Sequence, residues 1–292
     1  MLDINLIKEN PDKVVKLLKN KGWDFEPSTL LNLNEKRKQL IFSCDEIKSE
    51  KNKLSSTVPL VKKQGGDVSK IFDQVKALNQ KIEDLEIQIS NINKQIVDII
   101  SELPNLPDED LLAGEKENNK VLRITNQKPE FDFEYKDHVS LCEKLGIIDY
   151  QRAAKVSGRG TWIYTGDGAR LEWALLNYFI SEHLKDGYQF ILPPHLLNFE
   201  SGFTAGQFPK FSKDVFWLEG TQPNKFLLPT AETALVNLHR DEILKEEDLP
   251  KKYFAYTPCY RLEAGSYRSE ERGMVRGYQF NKVEMVQYTT EE

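Results

Sequence analysis

Residues 257–286 read TPCYRLEAGSYRSEERGMVRGYQFNKVEMV, and this stretch decides the fold of the second half of the chain. Two apolar, β-prone segments flank a turn that is dense in charge, which is typical of a β-hairpin. In a strand, residues i and i+2 share a face, so Arg261 and Glu263 point the same way. The second strand likewise presents Phe280, Lys282 and Glu284 on one face. If the strands pair, one surface offers Arg261, Glu263, Phe280 and Glu284 together.

The side chains of this surface have complementary chemistry. A guanidinium can hold a phosphate bidentately, an aromatic ring can stack on a flat base, and a carboxylate can hold an amine. Upstream, LLPTAETAL places Thr230 and Glu232 two residues apart, which adds a hydroxyl and a carboxylate suited to a small amino-acid ligand. The turn arginines Arg268, Arg272 and Arg276 can close over phosphates. The alternative is a surface turn whose Arg and Glu side chains pair only with each other.

The bulk composition favours two domains and a local rather than a general anion site. The chain has 292 residues, a net charge of −6 and 29% charged residues. Three cysteines lie far apart without metal-ligand spacing, which favours free thiols in a reducing compartment. No apolar run reaches transmembrane length, and the first residues lack the apolar core of a signal peptide. We expect a cytoplasmic protein with no membrane partner.

The first half carries an unbroken heptad pattern. The seam residues, spaced alternately four and three apart, are Ile71, Val75, Leu78, Ile82, Leu85, Ile89, Ile92, Ile96, Ile99 and Leu103. A looser repeat precedes it, with Arg37 and Lys51 at seam positions. Gly65 and Gly66 separate the two repeats, so we predict an antiparallel helical hairpin over about 28–103. Pro59 is expected to end or kink the first helix near the tip.

Such a hairpin has two interpretations. It is either a dimerisation coiled coil or an arm that reaches a large partner. The first helix is the more basic, and a one-sided basic stripe suits a phosphate backbone. On this hypothesis the lysines Lys36, Lys38 and Lys48 are candidate contacts to a nucleic acid.

The pattern divides the chain into an N-terminal domain over 1–110, a Pro-containing acidic linker over 111–130 and a second domain over 131–292. In the second domain, GARLEWALLNYFISEHLKDGY predicts an amphipathic helix whose apolar face packs on a core. AETALVNLHRDEIL predicts a short helix. Short strands without regular βα alternation favour an antiparallel α+β domain over a Rossmann sheet.

Residues 257–286 strongly resemble motif 2 of class II aminoacyl-tRNA synthetases, in the form found in seryl-tRNA synthetases. Other segments resemble the family in the same order along the chain: MLDINLIKENPDKV, AAKVSG, GDGARLEWAL, the LPP of motif 1, TAGQFPKF and LPTAE. The resemblance implies an α+β fold, with an antiparallel-sheet catalytic domain, here incomplete, preceded by a coiled-coil arm. It also implies that serine and ATP form seryl-adenylate and that the seryl group is then transferred to tRNA(Ser).

The resemblance assigns roles to the matching residues. Arg261 and Glu263 would be the catalytic pair, and ATP would contact Arg261, Glu263, Arg276 and Phe280. Serine would contact Thr230, Ala231, Glu232 and Glu284. Mg²⁺ would accompany ATP without a dedicated protein cage. Motif 1, around Pro193-Pro194, would form a homodimer interface, and the arm would grip the long variable arm of tRNA(Ser).

The family's third motif, with an arginine opposite the motif 2 aromatic ring, is expected beyond position 292. We therefore expect residues 1–292 alone to form no seryl-adenylate. Two other classes stay open: a synthetase-like paralogue that charges a non-tRNA acceptor, and a non-catalytic binding or scaffold protein. The intact set of Thr230, Glu232, Arg261, Glu263, Phe280 and Glu284 argues against a scaffold, whereas the missing third motif argues for one.

Overall fold

The computed structural model describes residues 1–220, 224–263 and 273–290, and the chain divides into two compact units, Met1–Thr125 and Asn126–Glu292. Within the described residues, none of the helices combines the length and the apolar character that a membrane span requires. Because the units are separate bodies, each is described by itself.

The first unit is helical. Its elements are α1 (Ile4–Glu9), α2 (Pro11–Asn20), α3 (Pro27–Lys63) and α4 (Ser69–Glu102), followed by a 3₁₀ turn at Lys116–Asn118. Gly65 adopts a positive φ of 69° in the tight connection between α3 and α4, and the Asp67 carboxylate accepts from the Ser69 amide at 2.8 Å. These two features stop one helix and start the next, as the sequence predicts. We call the α3–α4 pair the arm.

The heptad seam is confirmed, because all ten predicted seam residues are buried or half-buried. At the base of the arm, Ile92 and Ile96 join Ile7, Leu18 and Leu30 in one apolar core. Pro59 was expected to end or kink α3; an end there is wrong, since the helix continues through the proline to Lys63. A proline removes one backbone hydrogen bond, and the seam contacts on both sides of it keep the helical path.

A polar layer interrupts the apolar seam. The Arg37 guanidinium donates to Asn34 Oδ1 at 2.7 Å within α3 and to Asn93 Oδ1 at 3.2 Å on α4. Asn34 is 2% exposed, so the layer lies inside the arm rather than on its surface. A polar group in a seam pairs with only one register of the facing helix, and we expect this layer to fix the alignment of α3 and α4.

The second unit mixes helices with three small sheets. Its helices are α5 (His138–Leu145), α6 (Tyr150–Ser157), α7 (Asp167–Lys185), α8 (Phe199–Thr204) and α9 (Glu232–Leu235), with a 3₁₀ turn at Glu246–Asp248. Its strands are β1 (Ile148–Asp149), β2 (Ile163–Tyr164), β3 (Gln189–Ile191), β4 (Leu196–Asn198), β5 (Trp217–Leu218), β6 (Lys225–Leu227), β7 (Lys251–Tyr260) and β8 (Gln279–Tyr288). The sheet orders are β1-β2, β3-β7-β8 and β4-β6-β5.

The long β7–β8 hairpin is antiparallel over its whole length, as predicted. The pairs β1–β2, β4–β6 and β5–β6 are antiparallel as well, whereas β3 lies parallel to β7. The sequence did not indicate this parallel strand, because three residues carry no pairing direction. Apolar side chains from β4, β6 and β7 form one core, which includes Phe208, Phe226 and Cys259 and contacts Phe280.

Two helices of the second unit differ from the prediction. Helix α7 has the predicted span and ends before Gly187, but its apolar face does not pack on a core within the described chain. The exposed members of the predicted face are Leu171, Leu175, Tyr178, Phe179 and Leu184. Helix α9 is a single turn, and the chain after Val236 continues as turns rather than as a helix.

Candidate active site

The β7–β8 hairpin brings the predicted side chains to one face. Cys259 lies opposite Phe280, Thr257 opposite Lys282 and Ala255 opposite Glu284. Residues opposite each other in an antiparallel pair share a face, and so do residues two apart. The Arg261 amide extends the ladder by donating to the Tyr278 carbonyl at 3.0 Å. Arg261, Phe280, Lys282 and Glu284 therefore share one face.

Arg261 is fixed from two sides. Its Nε donates to the Pro229 carbonyl at 3.2 Å, and its guanidinium carbon lies 5.1 Å from the centroid of the Phe280 ring. The next residue, Leu262, donates its amide to the Asp214 carbonyl at 2.7 Å. This arrangement places the guanidinium over the Phe280 ring at cation–π distance. The ring that is expected to meet a base therefore lies under the side chain that is expected to meet a phosphate.

Glu263 and Arg276 form an ion pair across the two ends of the hairpin turn. The Glu263 side chain is 6% exposed and that of Arg276 is 42% exposed, so the pair joins a buried carboxylate to a cation that reaches solvent. Glu263 has a φ of 51°, a left-handed conformation that is unfavourable for a side chain other than glycine or asparagine. Backbone strain of this kind is concentrated at functional sites.

Thr230, Lys282 and Glu284 form a closed network. Lys282 Nζ donates to Thr230 Oγ1 at 2.6 Å, and Thr230 Oγ1 donates to Glu284 Oε2 at 2.7 Å. Lys282 also pairs with Glu284 Oε2. The Glu232 amide also donates to Thr230 Oγ1, at 3.3 Å. Thr230 is buried, and its hydroxyl has three hydrogen-bond partners. Lys282 was left out of the predicted site, although its place between Phe280 and Glu284 on a two-residue period already indicated it.

A cavity of about 380 Å³ lies between these groups. Its lining includes the predicted residues Thr230, Glu232, Arg261, Glu263 and Arg276, and also Lys282. Phe280 lies under Arg261, and Glu284 is reached through Thr230 and Lys282. Ala231 is fully buried in an apolar cluster with Leu235 and Ala255. Arg268 and Arg272 lie outside the described residues.

Burial raises the pKa of the Cys259 thiol, which lies on the same face opposite Phe280. Its Sγ is 3.5 Å from Thr257 Oγ1. A raised pKa keeps the thiol protonated, so Cys259 is a packing residue rather than a nucleophile. Among the described residues, no group of three or more His, Cys, Asp or Glu side chains is placed to hold a metal ion.

The three candidate lysines of α3 do not form one stripe. At about 100° per residue, Lys36 lies about 160° around the helix from Lys38 and about 120° from Lys48. Lys38 and Lys48 are about 80° apart. Lys48 pairs with Glu86 of α4 at 2.7 Å, which raises the pKa of the lysine, and Lys38 pairs with Glu35 at 3.4 Å. Lys36 and Lys38 are exposed and Lys48 is half-buried.

Comparison with known proteins finds matches in both units of the chain. Residues 1–107 match the model of the seryl-tRNA synthetase N-terminal domain, and residues 216–292 match that of the tRNA synthetase class II core domain (G, H, P, S and T). Serine–tRNA ligase 2 of Clostridium acetobutylicum is 55% identical over the whole chain, and the match covers 70% of that relative. The serine–tRNA ligase of Clostridium tetani is 40% identical, again over the whole chain and 69% of the relative.

A solved structure supports the fold directly. Seryl-tRNA synthetase from Pyrococcus horikoshii, complexed with ATP, superposes with a TM-score of 0.82 at 27% identity. The superposition covers 98% of this chain and 69% of the other. The site residues, from Thr230 to Glu284, lie within the match to the class II core domain model.

Proposed function

The chain belongs to the seryl-tRNA synthetase family, and from that premise we propose that its second unit binds ATP and serine and its first unit binds tRNA(Ser). The reaction is that of a serine–tRNA ligase: ATP and serine give seryl-adenylate and diphosphate, and the seryl group then moves to the 3′ end of the tRNA. The observation that carries the proposal is the shared face of Arg261, Phe280 and Glu284 beside one cavity, with Thr230 hydrogen-bonded to Glu284.

ATP occupies the part of the cavity nearest the hairpin turn. Arg261 takes the α-phosphate, because a guanidinium fixed through its Nε keeps its terminal nitrogens for a bidentate contact. Phe280 supplies the flat apolar surface for the adenine once Arg261 turns toward the phosphate. Arg276 adds a second cation, and Glu263 holds it in place through their ion pair.

Serine occupies the part of the cavity next to Thr230. The Thr230 hydroxyl and the Glu284 carboxylate accept from its ammonium group, and Glu232 lies beside them as a second carboxylate. Ala231 contributes through its backbone, because its methyl group is packed in the core. Serine is thus placed with its carboxylate toward the cations of the ATP subsite.

The chemistry needs no protein nucleophile. The serine carboxylate attacks the α-phosphorus, the bond to the β-phosphate oxygen breaks, and diphosphate leaves with the negative charge. The protein lowers this barrier by alignment and by neutralising the phosphate charge with Arg261 and Arg276. Mg²⁺ would be held chiefly by phosphate oxygens and water, since this ion dehydrates reluctantly and is usually bound through substrate phosphates.

A binding measurement tests the site. We expect a stable seryl-adenylate analogue to bind the chain in calorimetry, and Arg261→Ala and Glu284→Gln each to weaken binding by about 10- to 100-fold. Arg170→Ala is the matched control, because Arg170 is an exposed arginine paired with Asp167. A folded protein that binds the analogue equally well with and without Arg261 would contradict the assignment.

The arm is the proposed contact to tRNA. Because Lys38 and Lys48 lie on neighbouring sides of α3 and Lys36 on another, one phosphate track can meet only one of the two groups. We expect either Lys38→Ala with Lys48→Ala, or Lys36→Ala alone, to weaken tRNA binding and lower the salt slope by about one unit per contact. Unchanged affinity in both variants refutes a role for these lysines.

The exposed apolar face of α7 supports a homodimer. Large exposed apolar patches mark interaction surfaces, and α7 is followed along the chain by β3 and the Pro193-Pro194 segment. We propose that a second copy covers it. Light scattering is expected to give twice the chain mass of 33.8 kDa, and Leu171→Asp with Leu175→Asp is expected to give the monomer. Charging of tRNA takes place where translation occurs, so we propose a cytoplasmic protein.

A further inference from the structure

The ammonium group of Lys282 contacts the same two oxygen acceptors that the proposed serine subsite offers to the ammonium group of serine. Its Nζ donates to Thr230 Oγ1 at 2.6 Å and pairs with Glu284 Oε2. Thr230 in turn donates to the same Glu284 oxygen at 2.7 Å. The Lys282 side chain is 30% exposed and that of Glu284 is 23% exposed, so water screens this pair only in part.

A ligand ammonium needs these same two oxygens. An ammonium group has three donors and no acceptor, and the Lys282 side chain ends in such a group. Two ammonium groups at hydrogen-bond distance from one carboxylate oxygen repel each other, and the repulsion is larger in a partly dehydrated site. The amine of serine and Lys282 Nζ therefore compete for one position.

We propose that Lys282 is an internal cation that serine displaces, and that the displaced ammonium group then neutralises the carboxylate of the bound amino acid. This inference rests on the proposed serine subsite. The four-carbon stem of lysine gives the ammonium group a wide reach, and Lys282 lines the same cavity as Arg261. In the empty site Lys282 keeps Thr230 and Glu284 in place. In the filled site it becomes a contact of the substrate.

The exchange makes Lys282 a specificity-determining residue. A ligand with an ammonium group and a carboxylate removes Lys282 from one anion and supplies another. Ethanolamine, which is serine without the carboxylate, removes Lys282 and leaves the lysine charge without a partner. The site therefore discriminates against simple amines, although Thr230 and Glu284 suit any ammonium group.

The test compares L-serine with ethanolamine by titration calorimetry on the whole chain. In the wild type we expect ethanolamine to bind at least about 100-fold more weakly than serine. In Lys282→Met we expect serine to bind about tenfold more weakly and ethanolamine no more weakly than in the wild type, so the preference falls at least about tenfold. Lys282→Arg keeps the charge and is expected to restore the preference.

Lys245→Met is the matched control. Lys245 pairs with Glu247, also two residues on, at 3.2 Å, but these side chains are 75% and 74% exposed. An unchanged serine-to-ethanolamine ratio in Lys282→Met overturns the inference while the serine site stands. Binding of neither ligand by the folded wild type overturns the proposed function itself. If Lys282→Met shows no cooperative melting, the neutral but polar Lys282→Gln carries the same expectation.

Discussion

Replacing Arg37 with methionine isolates the energy of the polar layer in the arm. Methionine is apolar and of similar length, so it keeps the packing of the stem and removes the donors. The change deletes the hydrogen bonds from the guanidinium to Asn34 and Asn93. Asn93 is half-buried and can turn to water, whereas Asn34 is 2% exposed and its acceptor stays inside the arm.

The expected loss of stability is the cost at Asn34 less the gain from removing the buried Arg37 Nε. A buried acceptor left without its donor costs about 1–3 kcal/mol. Against this, Arg37 Nε is buried without a hydrogen-bond partner among the described residues, and methionine removes that penalty. The offset is about 1 kcal/mol. With the acceptor cost at the middle of its range, about 2 kcal/mol, the arm is therefore expected to lose about 1 kcal/mol, a factor of about 5 in its opening equilibrium.

Hydrogen exchange followed by mass spectrometry measures this loss locally, without interference from the second unit. We expect peptides from α3 and α4 around the layer to exchange about fivefold faster in Arg37→Met. Lys38→Met is the control on the same helix, because Lys38 is exposed and its pair with Glu35 is 3.4 Å long. Its exchange rates should stay within about twofold of the wild type.

A variant with a fully apolar layer distinguishes two quantities: the cost of leaving the buried Asn34 acceptor unpaired, and the net stability that the whole polar layer contributes. With Asn34→Leu, Arg37→Met and Asn93→Leu together, we expect protection at or above that of the wild type, since a buried polar set replaced as a whole is often neutral or stabilising. If the triple variant exchanges faster than Arg37→Met alone, the layer contributes net stability and the reasoning above is refuted. Equal rates in Arg37→Met and the wild type refute it as well.

Three further predictions concern the second unit. Gly277→Ala should destabilise it by about 1–3 kcal/mol in thermal unfolding, because the new methyl carbon would lie 2.2 Å from the Trp162 ring; a normal melting point would contradict the packing. Cys259 should resist iodoacetamide until the chain unfolds, since burial raises the pKa of its thiol, and peptide mass spectrometry should find it unmodified in the folded protein. The Arg152 amide and side chain lower the pKa of Asp149 below its ordinary value of 3.8. The stability from this cap is therefore full above that value and is lost as the pH falls through the lowered pKa, so Asp149→Ala should lower the melting temperature at pH 7 and make a smaller difference in acid.

The sequence predicted the arm well because its pattern is local and repeated. Ten seam positions on a heptad period specify both the helix and the face it buries, and every one of them is buried or half-buried. The effect of Pro59 was overestimated, since one lost backbone bond competes with seam contacts over several turns. The apolar face of α7 was predicted less completely. Its period identifies which residues form an apolar face, but it does not say whether another part of this chain buries that face.

The sequence predicted most of the residues that form the site, but not which of their side chains pair with one another. The two-residue period of β8 and the pairing with β7 bring Arg261, Phe280 and Glu284 to one face, as expected. The partner of each charged side chain was not predictable, because a strand pattern shows on which face a side chain lies but not which groups it can contact. Lys282 was for that reason read as part of the strand face, although its length lets it span to Thr230.

The empty site satisfies its own ligand-binding groups, and this shapes how it responds to substitution. Arg261 lies on Phe280, and Lys282 holds Thr230 and Glu284. A ligand then replaces existing hydrogen-bond and ion-pair partners and does not meet unpaired groups. Removing one side chain of the network therefore alters both the free and the bound state. Paired substitutions in one network, such as Lys282→Met with Glu284→Gln, should show strong coupling in serine affinity, whereas either change combined with Arg170→Ala should be additive within about 0.5 kcal/mol. Additivity within the pair would mean that the contacts of the empty site have no part in binding.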